Sequence, residues 1–239
     1  MVANAARGLK ALFSSTLGIK VLMALTGLGM VGFLVTHVSG NALALTGNPE
    51  HINAYAKKLK DLGPLLWVAR GGLIAMFLAH LVLAFKLSAR NAAARPVGYH
   101  FNSAVEASWT SRHMIYTGVV ILLFVLVHLA HYTLGLWGAS GAAFKTAFDN
   151  HDVYRMVVLE FSNPAIAGLY VVAMAAMLLH IWHGFGSLWR SLGASHPKLQ
   201  EGAQKLSMAL AVLLFLGFCA VPSAVLFKLI KKCFQHLLQ

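Results

Sequence analysis

The chain has 239 residues, 59% of them hydrophobic and only 11% charged, with a formal net charge of +12. A soluble domain carries about 25% charged residues, so this composition excludes an ordinary water-soluble fold and makes lipid the expected solvent. The basic residues are scattered over loops and helix ends rather than gathered on one element, which argues against nucleic acid and for anionic lipid or an acidic partner.

A helix crossing the hydrocarbon core needs about 20 mostly apolar residues. The chain supplies five such runs, at 19–42, 65–87, 113–136, 164–189 and 205–229. They predict an all-α integral membrane bundle, with residues 1–239 forming a single transmembrane domain. Arg7 and Lys10 precede the first run, as in a secretory signal peptide. Its apolar stretch is longer than the 7–15 residues of a signal core, and no small-x-small cleavage site follows before Asn48-Pro49, so it is expected to stay as the first span.

After the first span, Asn48-Pro49 can cap and start a short helix, and Ile52, Tyr55, Leu59 and Leu62 recur at helical spacing. This segment is expected to lie along the interface, with Lys57, Lys58 and Lys60 toward the headgroups, before Asp61-Leu62-Gly63-Pro64 turns into the second span. Residues 88–112, with Arg90, Arg95, Pro96 and Arg112, are too charged to enter lipid and read as a loop. Residues 144–161 join the third span to the fourth, and 192–204 the fourth to the fifth. Cys219 and Cys233 stand fourteen positions apart without a CxxC pattern and point to no function.

Charge barely orients the bundle. With the N-terminus inside, ten Lys and Arg fall on the inner side and nine on the outer, which the positive-inside rule hardly separates. The acids lean the same way, with Glu50, Asp61, Asp149, Asp152 and Glu160 outside and Glu106 and Glu201 inside.

Ionisable residues within a span are costly and therefore mark function. Here they are histidines at a regular depth: His37 is 17 residues after Lys20, His80 16 after Pro64, His128 16 after Arg112, and His180 16 after Pro164. At about 1.5 Å per residue, 16 residues advance roughly 24 Å through a core about 30 Å thick. Successive spans alternate in direction, so His37 and His128 should meet near the outer side, and His80 and His180 near the inner side. Two histidines from facing helices at one depth are the axial set of a six-coordinate haem iron, so the spacing predicts two haems. Without CxxCH there is no thioether attachment, and the haems would be b-type. The plainer reading is polar interhelical contact, which four matched depths disfavour. A di-iron site would need Glu and Glu-x-x-His ligands, and the spans hold almost no acids. Depth alone does not choose between His128 and His131, or between His180 and His183, because residues three apart share a helix face. One of each pair could instead bond a propionate or a quinone carbonyl.

These residues resemble a family, the five-helix di-haem cytochrome b subunit of succinate dehydrogenases and fumarate reductases. The resemblance rests on Gly32-Phe33-Leu34-Val35-Thr36-His37, on Ala79-His80, and on Thr117-Gly118 ten residues before His128. It continues through Pro164-Ala165 and Gly168-Leu169-Tyr170 to His180, then His183-Gly184 and Leu188-Trp189. It implies a distal haem on His37 and His128 and a proximal haem on His80 and His180, which selects His128 and His180 from the open pairs. It also implies a cytoplasmic N-terminus, an external C-terminus, a bacterial inner membrane, and separate flavoprotein and iron–sulfur partner subunits. Nothing in the chain resembles a flavin fingerprint or a cluster-binding cysteine set, so the role implied is anchoring, electron relay and quinone chemistry.

The quinone would be menaquinone in preference to ubiquinone, and Asp61 is the nearest acid to the family's outer quinone position, although it can equally end the interfacial helix. Arg155 resembles a family position near the propionates, for which a guanidinium is a bidentate partner. Arg70 could serve equally or snorkel to the headgroups, and His131 and His183 are further propionate candidates. Two rival readings are the cytochrome b of a hydrogenase or formate dehydrogenase, and a haem-free transporter with a histidine proton relay.

Overall fold

The structure is a computed structural model that describes residues 13–94 and 109–230. Arg7, Lys10, Arg95, Pro96, Glu106 and Cys233, named above, lie outside these residues. The described chain is all-α. Five of its helical segments are long and apolar enough to cross a membrane. They are built on α1 (Thr16–Ala42), α3 (Pro64–Ala93), α5 (Met114–His128), α8 (Pro164–Ser191) and α9 (Pro197–Leu226). The shorter helices are α2 (Pro49–Asp61), α4 (Trp109–Arg112), α6 (Ala142–Asp149) and α7 (Val153–Phe161).

Local chemistry explains where these elements start. Pro64, Pro164 and Pro197 each open a span at the one place where proline's missing N–H and fixed φ suit a helix. Asn48 caps α2, its side chain accepting from Glu50 N–H at 3.1 Å, as the Asn-Pro signal implies. Asp152 caps α7 in the same way through Arg155 N–H at 3.0 Å. The last span begins at Pro197 rather than near 205, because the polar stretch after Pro197 also winds as helix, with Glu201 and Lys205 paired at 2.7 Å. The segment between the third and fourth spans, expected as a plain connection, contains α6 and α7.

The third span departs from the expected uninterrupted helix. After His128 the winding loosens into a π-turn over Leu129–Thr133, in which Leu134 N–H donates to Leu129 O at 2.9 Å. Such turns appear mostly as single bulges in α-helices, frequently at functional sites.

The chain packs as two compact units, each drawing on several spans. Among the described residues, one comprises 13–33, 68–94, 109–116 and 180–210. In it the Ser207 hydroxyl, fully buried, donates to Ile181 O at 3.2 Å and holds α9 to α8. The other comprises residues 34–67, 117–179 and 211–230, around a core of Ile52, Tyr154, Val158, Phe161, Tyr170, Val221 and Val225. There Asn53 clasps the start of α7: its amide donates to Asp152 Oδ1 at 3.0 Å, and its oxygen accepts from Tyr154 N–H at 3.0 Å. Tyr55 of α2 lies flat against α1 at Gly40, where a Cβ would stand 2.5 Å from the ring. Large apolar side chains such as Trp67, Val82 and Leu213 are more than 60% exposed along the spans, as lipid contact requires.

Candidate functional site

Each unit brings two histidines from different spans into contact. In the first unit, His80 of α3 and His180 of α8 have ring centroids 6.4 Å apart. The surroundings of His80 fix its proton. Thr26 Oγ1 lies 3.1 Å from His80 Nδ1, while the hydroxyl's single hydrogen is directed at Leu22 O (2.9 Å) and Met23 O (3.1 Å). A hydroxyl has one donor and spare lone pairs, so Thr26 accepts from His80 Nδ1–H. Nε2 of His80 is thereby left with its lone pair. Gly27, one residue on, keeps the wall thin: a Cβ there would stand 3.4 Å from His80 Cε1. His180 has a backbone hydrogen bond to Met114.

In the second unit, His37 of α1 and His128 of α5 have centroids 5.9 Å apart. Phe124 stacks on His128 at 5.7 Å, and Phe218 lies 5.8 Å from His37. His128 Nδ1 is 3.3 Å from the Tyr170 hydroxyl. His131, three residues later, takes no part in that pair. The π-turn begins just after His128 and includes His131. The two histidines share the Tyr170 hydroxyl, but only His128 meets His37. His131 is fully buried, stacks on Trp137 at 4.3 Å, and has both ring nitrogens engaged. Nδ1 is 3.2 Å from Tyr170 Oη, and Nε2 is 2.9 Å from Glu160 Oε2.

Glu160 carries little in the sequence to single it out. It is fully buried on α7 and accepts from Ala139 N–H at 2.8 Å and Ser140 N–H at 2.9 Å as well as from His131. Each of its oxygens thus receives a backbone donor, which leaves no buried carboxyl oxygen unsatisfied. Its only sequence signal is the 3.6-residue recurrence of Tyr154, Val157, Val158 and Phe161, which marks α7 as amphipathic.

The other candidates are scattered. Asp61 is exposed at the end of α2 and paired with Lys57 at 2.7 Å. Arg155 is exposed on the first turn of α7, and Arg70 is exposed on α3. His183 lies half-buried on α8, one turn beyond His180. Among the described residues no group of three or more His, Cys, Asp or Glu that could hold a metal ion is found; the two histidine pairs are candidate donor sets for a cofactor.

The donor sets suit a haem iron. With an imidazole nitrogen about 2.0–2.1 Å from a first-row metal and its ring centre roughly 1.1 Å behind it, two axial imidazoles have centroids about 6.3 Å apart. The observed 5.9 and 6.4 Å bracket that spacing. The Tyr132 hydroxyl, whose ring is 5.8 Å from His128, is buried without a hydrogen-bond partner among the described residues, so a polar group could be received beside that pair.

Residues 91–220, more than half of the chain, match the family model described as succinate dehydrogenase/fumarate reductase transmembrane subunit. The chain belongs to this family. The matched region holds His128 and His180, one member of each pair, together with Glu160 and Tyr170. The five apolar helices and the family together make it a multi-pass membrane subunit that associates with the soluble subunits of a succinate dehydrogenase or fumarate reductase. No curated protein and no solved structure matches the chain.

Proposed function

We propose that this succinate dehydrogenase/fumarate reductase subunit is a di-haem cytochrome b that relays electrons between an iron–sulfur partner and a membrane quinone. The observation that carries the reading is the pairing of His80 with His180 and of His37 with His128 at axial-ligand spacing. A b-type haem bound in each unit would supply one-electron chemistry within the low-dielectric span.

The chain's own residues have definable tasks. His80 and His180 hold one iron and His37 and His128 the other, each pair drawing one ligand from each of two spans. Thr26 holds His80 Nδ1–H, which orients the ring, fixes its tautomer and raises the basicity of Nε2. Phe124 and Phe218 wall the second pair against solvent, and such a hydrophobic shell sets the local dielectric. The apolar outer faces of the spans anchor the assembly. In this reading the N-terminus is cytoplasmic in a bacterial inner membrane, the His80–His180 pair lies nearer the flavoprotein and iron–sulfur subunits, and the quinone is menaquinone.

A reduced-minus-oxidised spectrum of the purified subunit tests this. Two b-type haems per chain are expected, one lost on replacing His80 or His180 and the other on replacing His37 or His128. A colourless, folded protein would overturn the reading.

A further inference from the structure

The chain Glu160–His131–Tyr170–His128 carries a direction that follows from counting protons. Resting on the two-haem reading above, we propose that Glu160, His131 and Tyr170 are positioning residues that lock His128 with Nδ1 as hydrogen-bond donor. Nε2 is thereby left as the nitrogen that holds iron.

The Tyr170 hydroxyl faces two imidazole nitrogens, His128 Nδ1 at 3.3 Å and His131 Nδ1 at 3.2 Å. A phenol has one proton, so it can donate to one of them and must accept from the other. The far end of the chain decides which. Ala139 N–H and Ser140 N–H can only donate, and they meet Glu160 on both of its oxygens. In the proposal Glu160 is the carboxylate acceptor for His131 Nε2–H at 2.9 Å, and His131 is neutral. A neutral His131 that donates from Nε2 must accept at Nδ1, so Tyr170 gives its proton to His131. The phenol oxygen then accepts from His128 Nδ1–H. Three hydrogen bonds use three protons, all pointing from His128 toward Glu160.

Every member is held in place. His131 and Glu160 are fully buried and Tyr170 is nearly so. The π-turn at Leu129–Thr133 lets His131 reach Glu160 while His128 keeps its own face toward His37. The Ser140 hydroxyl also donates to Leu159 O at 3.1 Å, tying the loop that carries the two amides to α7. The histidine that is not a ligand thus orients the one that is. A carboxylate relayed through a second imidazole and a phenol acts on the ligand as a carboxylate directly bonded to a metal-bound histidine does elsewhere, by raising its basicity.

A more basic ligand favours ferric iron, so Tyr170→Phe should raise the midpoint potential of the haem assigned to His37 and His128. The expected size is a tenfold change in ferric-over-ferrous preference, about 59 mV for one electron. The second haem of the same molecule should keep its potential and its α-band. Glu160→Gln should move the same haem in the same direction by less. The measurement is a spectroscopic redox titration of both haems in the purified subunit. Potentials unchanged in both variants, or both haems shifting equally, would overturn the positioning role while leaving the two-haem reading intact. Should Tyr170→Phe lose the affected haem outright, Glu160→Gln decides, a selective shift supporting the proposal and no shift refuting it. Wild-type protein without haem would instead defeat the proposed function itself.

Discussion

Thr26→Val replaces a hydroxyl by a methyl of the same shape, and its consequence can be worked from four atoms. The Thr26 hydrogen is spent on Leu22 O and Met23 O, so what Oγ1 offers His80 Nδ1 at 3.1 Å is a lone pair. Valine removes that acceptor. One net hydrogen bond is about 0.5–1.5 kcal/mol, and loss of an outer partner of a metal-bound histidine usually costs about 10–100-fold in metal affinity. The energy of one net hydrogen bond places the expected loss near the lower end, about tenfold. The assay is transfer of haem to excess apomyoglobin, with the two haems followed by their separate α-bands. The haem assigned to His80 and His180 should leave about tenfold more readily, the other should be unaffected, and Thr26→Ser should restore wild-type retention. Equal retention in Thr26→Val, or equal loss from both pairs, would refute the argument that this hydroxyl sets the His80 tautomer.

His128→Ala should remove one haem and keep the other. His131→Ala should keep both but lower unfolding stability in detergent by about 1.5–3 kcal/mol, because it removes one of the three donors to the buried Glu160 side chain. Gly40→Ala places a Cβ where the Tyr55 ring now lies, at 2.5 Å. Overpacking of this kind costs about 1–3 kcal/mol, and faster proteolysis of the 48–63 segment should report it. Asp61→Asn breaks an exposed Lys57 pair; its effect on stability should stay below about 1 kcal/mol, and quinone turnover should separate a structural Asp61 from one that serves the quinone.

The five spans were legible because lipid imposes a length and an apolar composition that few other folds share, and α2 was legible from Asn48-Pro49. The meetings of His37 with His128 and of His80 with His180 were legible as well, since depth along alternating helices is simple counting. The partners of those histidines were not. Thr26 precedes His80 by 54 positions and Glu160 follows His131 by 29, and neither stands in a periodic pattern that links it to its histidine. Nor does composition announce a π-turn: Leu129–Thr133 reads as the continuation of an apolar helix, and the departure comes from tertiary packing. That is why His128 and His131 looked interchangeable from spacing, whereas in the folded chain only His128 meets His37 and only His131 meets Glu160.

The π-turn makes the third span sensitive to length as well as to identity. Removing one residue between 129 and 133 would restore ordinary winding and turn everything downstream out of phase, carrying His131 off Glu160 and the 139–140 amides off its carboxylate, while each side chain survived unchanged. Among relatives, a gap or an insertion at this point would therefore mark a change of wiring that residue-by-residue comparison of the histidines would miss.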